Sequence, residues 1–148
     1  MYQVILVPLD MSRRAERILP HVEDLAHRYD AIVIFLYVLE SNNEIVGPNG
    51  SQVALSEEVV RKRKKEAEIY LASWQGEFRE KGIAARTRLE YGPVVATIIN
   101  VAEREKVDLI AMASHGRGGV SRVFYGSVAA GVLQRVDRPL LFIRSRQA

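Results

Sequence analysis

Three runs of this sequence are apolar at nearly every position, and they constrain the fold more than any other feature. They cover residues 3–9, Ala31–Leu39 and Val107–Ala113. A strand with one face in water would instead alternate apolar and polar residues. Continuous apolar runs are typical of strands that are buried on both faces, as in parallel sheets. The sequence therefore predicts a parallel sheet that is covered by helices.

Amphipathic segments connect these runs. Their apolar residues recur at intervals of three and four, which is the period of a helix with one buried face. Two further strands complete the pattern: residues 83–91 have one polar face, which indicates an edge strand, and Pro139–Arg144 is short and apolar. Residues 41–54 are rich in asparagine and glycine and predict a long polar loop. The predicted helices are Arg13–Tyr29 with a kink at Pro20, Ser56–Lys81, Val94–Lys106 and Ser127–Val136.

Strands and helices that alternate along a chain imply right-handed crossovers and an α/β fold. We predict a single domain over residues 1–148, with an open five-stranded parallel sheet in the order 3-2-1-4-5 and helices on both faces. Ligands of such sheets bind at the carboxyl ends of the strands, where the strand order reverses. That point lies between the first and fourth strands, so Asp10 and the residues after Ala113 should share one crevice.

A glycine-rich loop follows the fourth strand. The range Ala113–Gly119 reads ASHGRGG, and the loop continues to Gly126-Ser127, where the last helix is predicted to start. Glycine lets the backbone approach a ligand closely. A helix start offers unpaired N–H groups and the positive end of the helix dipole. The loop therefore predicts a phosphate-binding site.

Charge and composition argue against several classes of protein. The chain has 148 residues and a net charge of +3, too small an excess to indicate a nucleic-acid-binding protein. It has no cysteine, which excludes disulfides and thiolate metal sites, and its first apolar run is too short to span a bilayer. We predict a soluble cytoplasmic protein with no nucleic-acid or membrane partner. The basic run at residues 61–65 is interpreted as a solvated helix surface, because glutamates flank it.

No catalytic arrangement is evident in the sequence. The P-loop pattern G-x4-G-K-[ST] is absent. His115 has no second histidine or carboxylate close to it in sequence, and Asp10 stands without the acidic cluster of a phosphoacceptor site. We therefore assign no catalytic and no metal-binding residue. Any nucleotide hydrolysis would be slow and would require Mg²⁺ to neutralise the phosphate charge.

Several segments together resemble the universal stress protein family, over nearly the whole chain. Ile5–Ser12 resembles the family's I-L-V-P-x-D-G-S start, with Met11 at the glycine position, and residues 108–117 resemble its D-L-I-V-M-G-S-H-G-R segment. Gly126–Ala129 and Arg138–Leu141 resemble its G-S-V-A and R-P-V-L segments. The resemblance implies a Rossmann-like fold of the adenine nucleotide alpha hydrolase type.

The ATP-binding branch of that family carries the pattern G-x2-G-x9-G-[ST]. This chain keeps Gly116 and Gly126-Ser127 but has Ala113 at the first glycine position. Alanine is strained there if the position needs a positive φ, and its methyl group presses on the ligand if the position needs a close approach. By resemblance, the nucleotide-binding residues are Pro8, Leu9, Asp10, Val38, Met112, Ala113, His115, Gly116, Arg117, Gly126, Ser127 and Val128.

The resemblance implies a stress-response regulator that binds ATP, ADP or AMP, with or without Mg²⁺. Leu9, Asp10 and Val38 would face the adenine and ribose, and the loop backbone and the Ser127 hydroxyl would hold the phosphates. Two alternatives stay open: a nucleotide-free dimeric interaction module, which Ala113 favours, and a slow ATPase that depends on a partner. A homodimer is also implied, and the apolar edge Leu140–Ile143 would form its interface.

Overall fold

A sheet of five parallel strands forms the centre of the protein. The computed structural model describes residues 1–40, 44–46, 52–54, 57–113 and 127–144. The elements in chain order are β1 (Val4–Pro8), α1 (Arg13–Glu16), α2 (Leu19–Tyr29), β2 (Ile32–Leu39), β3 (Glu44–Val46), β4 (Gln52–Ala54), α3 (Glu57–Glu80), β5 (Ala85–Tyr91), α4 (Val94–Arg104), β6 (Leu109–Ala113), α5 (Ser127–Arg135) and β7 (Leu140–Ile143).

The strand order is β5-β2-β1-β6-β7, which confirms the predicted order 3-2-1-4-5. All pairings in this sheet are parallel, and β1 is the central strand between β2 and β6. β5 lies at one edge and is half-buried along most of its length, in agreement with its polar face. The strand order reverses between β1 and β6, as predicted.

Two apolar layers cover the sheet, because alternate residues of each strand point to opposite faces. One layer packs against α1, α2 and α3. It contains Phe35 and Phe78, whose rings meet edge to face with 4.9 Å between their centroids. The other layer packs against α4 and α5 and contains Ile98 and Val132. Helices therefore cover both faces, and the strand ends lie between them.

Two polar side chains form hydrogen bonds with backbone groups near the amino ends of the strands, on the opposite side of the sheet from the carboxyl ends. Oδ2 of Asp108 accepts the backbone N–H groups of Gln3 and Val4, each at 2.8 Å. The guanidinium of Arg138 donates to the carbonyl oxygen of Ala102 at 2.8 Å and to a second backbone carbonyl nearby. Asp108 and Arg138 both belong to segments of the family pattern, and in this structure their contacts hold the fold together.

The structure corrects two of the predicted elements. The predicted helix Arg13–Tyr29 is divided into α1 and α2, and Pro20 lies in the first turn of α2. A proline is tolerated there, because the first N–H groups of a helix have no partner within it. The predicted polar loop at residues 41–54 contains the antiparallel strands β3 and β4, in which Ile45 pairs with Val53. The ends of the other helices lie close to the predicted residues.

Candidate functional site

A cavity of about 770 Å³ opens at the carboxyl edge of the sheet, over the ends of β1, β2 and β6. Its walls come from both faces of the sheet. They comprise the turn after β1, the ends of β2 and β6, and residues near the starts of α3, α4 and α5. The cavity therefore lies at the predicted crevice, where the strand order reverses.

The pairing of β1 with β6 ends before its pairing with β2 does, and Pro8 contributes to this early end. β1 pairs with β2 along Val4–Pro8, whereas its register with β6 ends at Leu6. The N–H of Leu9 donates to the carbonyl oxygen of Leu36 in β2 at 2.8 Å. Because backbone groups alternate in direction along a strand, the nitrogen of Pro8 faces β6. Proline has no N–H to donate to that strand.

The turn after β1 is ordered by its own hydrogen bonds. Oδ1 of Asp10 accepts the N–H of Ser12 at 3.0 Å, and Oγ of Ser12 accepts the N–H of Ala15 at 3.1 Å as the N-cap of α1. Between them, Met11 has a φ of 70°. Residues with a side chain rarely adopt this left-handed conformation. The turn thus places the exposed carboxylate of Asp10 at the cavity wall.

The end of β6 and the start of α5 form the other border of the cavity. Ala113 is buried and pairs with Ile143 of β7. It has the backbone of a strand and is not among the residues with a positive φ. Of the two interpretations of this position, the strained backbone is therefore wrong. Ser127 is the first residue of α5 and lines the cavity, so the N–H groups of a first helical turn, which have no acceptor within the helix itself, lie at this border.

The described part of the predicted site comes together in this one cavity. The predicted residues that line it are Pro8, Leu9, Asp10, Val38, Met112, Ala113, Ser127 and Val128. The others, His115, Gly116, Arg117 and Gly126, lie outside the described residues. A contact of any of these residues with a nucleotide stays a prediction.

A third wall of the cavity, formed by α3, is not predicted from the sequence. Val60, Arg63 and Glu66 line the cavity, although Arg63 belongs to the run that was interpreted as solvated surface. Arg63 is indeed exposed, but at the cavity wall. The helical spacing could have shown that Arg63 lies on the inner face of α3. Arg63 stands four residues before Ala67 and seven before Tyr70, and both of these lie on the side of α3 that faces the sheet.

Tyr37, at the carboxyl end of β2, lies where the β1 turn and α3 approach each other. Burial raises the pKa of its hydroxyl. The negative charges of Asp10 and Glu66 raise that pKa further, and the positive charge of Arg63 lowers it. These charged groups therefore lie close enough to the Tyr37 hydroxyl to act on its charge. The hydroxyl stays protonated at neutral pH and is able to donate or accept a hydrogen bond.

A hydrogen bond joins α3 to the helix that follows the β1 turn. The hydroxyl of Tyr70 donates to Oε2 of Glu16 in α1 at 2.5 Å. Burial raises the pKa of Tyr70, and the hydrogen bond to Glu16 raises it further. α1 is a single turn of helix that begins directly after Ser12. The bond thus fixes the position of α1, the helix that follows the Asp10 turn.

Nearly the whole sequence, including the segments around this cavity, matches one known family. The model of the universal stress protein family matches residues 1–144. The chain belongs to the universal stress protein family. The resemblance inferred from the sequence segments is thereby confirmed.

Curated universal stress proteins match this one along nearly its full length. Universal stress protein MJ0577 of Methanocaldococcus jannaschii is 27% identical over 159 residues, which cover 100% of this chain and 98% of that protein. Universal stress protein Sll1654 of Synechocystis sp. is 32% identical over 147 residues, which cover 97% of this chain and 86% of that protein.

Solved structures share the fold of this universal stress protein. The structure of hypothetical protein MJ0577 aligns with a TM-score of 0.85 at 28% identity and covers 100% of this chain and 99% of its own. A universal stress protein in complex with cAMP aligns with a TM-score of 0.69 at 20% identity, covering 98% of each chain. One from Archaeoglobus fulgidus in complex with dAMP aligns with a TM-score of 0.68 at 21% identity, covering 96% of this chain and 98% of its own.

The cavity of this universal stress protein combines polar borders with an apolar floor. Asp10 lies at one border and the start of α5 at the other, and strand ends such as Val38 and Met112 lie between them. In the described ranges, no group of three or more histidine and carboxylate side chains is placed to hold a metal ion. The helices of the same ranges include none that is long and apolar enough to cross a membrane.

Proposed function

We propose that this universal stress protein binds an adenine nucleotide, ATP or a close relative, between β1 and β6 and acts as a stress-response regulator. One observation carries the proposal: Asp10 and Ser127, from opposite ends of the chain, border the same cavity. They meet where the strand order reverses, which is where open α/β sheets bind their ligands.

The size and chemistry of the cavity suit a nucleotide. Its volume of about 770 Å³ lies within the usual range for small-molecule sites, about 300–1,000 Å³. Val38 and Met112 offer apolar contacts for the base and sugar, and the Asp10 carboxylate accepts hydrogen bonds from hydroxyl or amino groups. The first turn of α5, beginning at Ser127, would attract the phosphates through its N–H groups and the helix dipole.

Relatives support adenine nucleotides as the ligand class. The universal stress proteins solved with cAMP and with dAMP share this fold. Both ligands combine adenine, a five-membered sugar and a single phosphate. Their common part would occupy the cavity between the Asp10 turn and α5. A triphosphate would bring Mg²⁺ with it, because the metal neutralises the phosphate charge.

Calorimetric titration of metal-stripped, nucleotide-free protein with ATP and Mg²⁺ tests this proposal. The Ala113→Gly variant is titrated beside it. We expect micromolar binding by both proteins, because Ala113 already has strand backbone and its methyl group strains no torsion angle. We expect AMP and cAMP to bind as well, and GTP to bind more weakly than ATP.

Two outcomes would contradict this expectation in different ways. Binding by the glycine variant alone would mean that the Ala113 methyl group blocks the ligand, and it would favour the nucleotide-free interaction module. Absence of binding by both proteins would overturn the proposal. Release of inorganic phosphate from bound ATP, followed over time, would identify the slow ATPase.

We also propose that two copies of the chain pair through β7. β7 is an edge strand, and Leu140–Ile143 are all half-buried. Pairing of two such edges across a two-fold axis would cover their unpaired backbone groups and their apolar side chains. Phe142→Lys should give a monomer or an aggregate in light scattering. A dimer of unchanged size would refute this interface.

A further inference from the structure

α3 extends past the sheet on the side of the cavity. α3 has 24 residues and a length of about 36 Å, whereas β5 has 7 residues and a length of about 23 Å. The two elements pack together, and the turn between them is tight, since the N–H of Ile83 donates to the carbonyl oxygen of Phe78 at 3.0 Å. The excess length of α3 therefore lies at its amino end, above the carboxyl edge of the sheet.

The inner face of α3 is buried where it lies against the sheet and lines the cavity where it extends beyond the sheet. Phe78, Leu71 and Ala67 are buried on this face. The same face continues at helical spacing to Arg63 and Val60, which line the cavity. Arg63 is thus the first residue of the inner face above the core, and it lines a space open to a ligand.

Arg63 lies at the end of the cavity assigned to the base. α3 packs against β5 and β2, whereas Ser127 follows β6 on the other side of the central strand. The charge of Arg63 acts on the hydroxyl of Tyr37 at the end of β2, together with that of Asp10. Among the described residues of the cavity wall, Arg63 is the only basic side chain. No salt bridge joins it to a carboxylate of the described ranges.

We propose that Arg63 contacts the ligand directly and packs its guanidinium against the base. This inference rests on the proposed adenine nucleotide site. A planar guanidinium stacks favourably on an aromatic face, because the ring quadrupole attracts its positive charge. A contact to the base strengthens the binding of adenosine as much as that of ATP.

The Arg63→Gln variant tests this inference, and Lys64→Gln is its matched control. Both changes remove one positive charge from an exposed position of the same basic run, but Lys64 does not line the cavity. We expect Arg63→Gln to weaken the binding of adenosine and of ATP by the same factor, about threefold to tenfold. Lys64→Gln should stay within about twofold of the wild-type protein, because a remote exposed charge acts weakly.

A third variant, Ser127→Ala, probes the phosphate end with the same ligands. It should weaken the binding of ATP and leave that of adenosine unchanged, which distinguishes it from Arg63→Gln. Calorimetry measures the ATP affinity, and competition against a fluorescent ATP analogue measures the adenosine affinity.

Three results would overturn the inference, and they are distinguishable. Weaker ATP binding with unchanged adenosine binding in Arg63→Gln would place the arginine at the phosphates. Unchanged binding of both ligands would mean that Arg63 does not contact the ligand, while the proposed function would stand. Failure of the wild-type protein to bind either ligand would overturn the proposed function and this inference together.

Discussion

β1 and β6 border the same cavity, but their carboxyl ends are constrained in opposite ways. After β1, Met11 has a φ of 70° inside a turn closed by the hydrogen bond between Asp10 and Ser12. β6 ends at Ala113 in extended backbone that pairs with β7. The family pattern has glycine at both positions, so a missing glycine causes backbone strain at one border and none at the other.

The elements behind the two borders differ in a related way. On the β1 side, Tyr70 holds α1 through a hydrogen bond to Glu16. On the β6 side, α5 is positioned by close packing, because a Cβ atom at Gly131 would lie 2.7 Å from Cγ2 of Val95 in α4. One border therefore depends on polar contacts that hold a strained turn, and the other depends on side-chain volume.

The largest effect is expected from Gly131→Ala, which tests the volume constraint on the β6 side. The added methyl group would overlap Val95 and push α5 away from α4, so the free energy of unfolding should fall by about 2 kcal/mol. Urea denaturation measures this loss. The shift of α5 should also weaken ATP binding, because Ser127 begins that helix.

Gly76→Ala is the matched control for that substitution. Gly76 lies inside α3, and a Cβ atom there meets nothing within 4 Å. The same change should therefore stabilise the protein by about 0.5–1 kcal/mol through helix propensity. Equal effects of the two substitutions would contradict the tight packing of α5 on α4.

Tyr70→Phe tests the polar constraint on the β1 side and should have the next largest effect. It removes the donor to the half-buried carboxylate of Glu16, so the free energy of unfolding at pH 7 should fall by about 1–2 kcal/mol. Urea denaturation at pH 7 measures this loss. A variant as stable as the wild-type protein would show that α1 does not depend on this bond.

The pH dependence of the same pair gives a second measurement. The pKa of Tyr70 is raised in the folded state above its ordinary value of 10.0, so the folded state keeps its proton longer than the unfolded state does. The contribution of Tyr70 to the free energy of unfolding is therefore fully present below about pH 10, and it declines as the pH rises further. The decline above pH 10 should be shallower in Tyr70→Phe, with Tyr37 supplying part of what remains.

Met11→Gly relieves the strain itself and should have a smaller effect than Tyr70→Phe, in the stabilising direction. Glycine adopts a positive φ without steric cost, so the midpoint of urea denaturation should rise by the equivalent of about 1 kcal/mol. Met11→Ala is the control, because alanine shortens the side chain and keeps the strained φ. It should give no such gain.

Ala113→Gly completes the comparison at the β6 border. Glycine in a strand has more conformational freedom to lose on folding, so this variant should be less stable by about 0.5–1 kcal/mol. Stabilisation by both glycine substitutions would mean that the two borders are constrained alike.

Much of the site could be predicted because it depends on short-range patterns. Apolar runs identify buried strands, and the topology of a parallel sheet then brings Asp10 and Ser127 to one edge. The division of the first predicted helix between Glu16 and Leu19 was missed and a kink at Pro20 was predicted instead, because a proline in a first helical turn and a proline inside a helix leave similar apolar spacing. The basic run was interpreted as surface, because its charges point in all directions around the helix axis. Arg63, which continues the inner face, cannot be distinguished from the others by charge.

The sequence by itself determined the parallel sheet, the strand order and the edge at which the cavity lies, since periodicity records which faces of each element are buried. Tertiary structure alone decided that Met11 is strained and Ala113 is not, because φ at a turn depends on how the next helix docks. It also decided that Arg63 reaches the cavity, because the excess length of α3 matters only once the helix lies against a shorter sheet. Such contacts join positions far apart in the chain, and no local pattern encodes their distance.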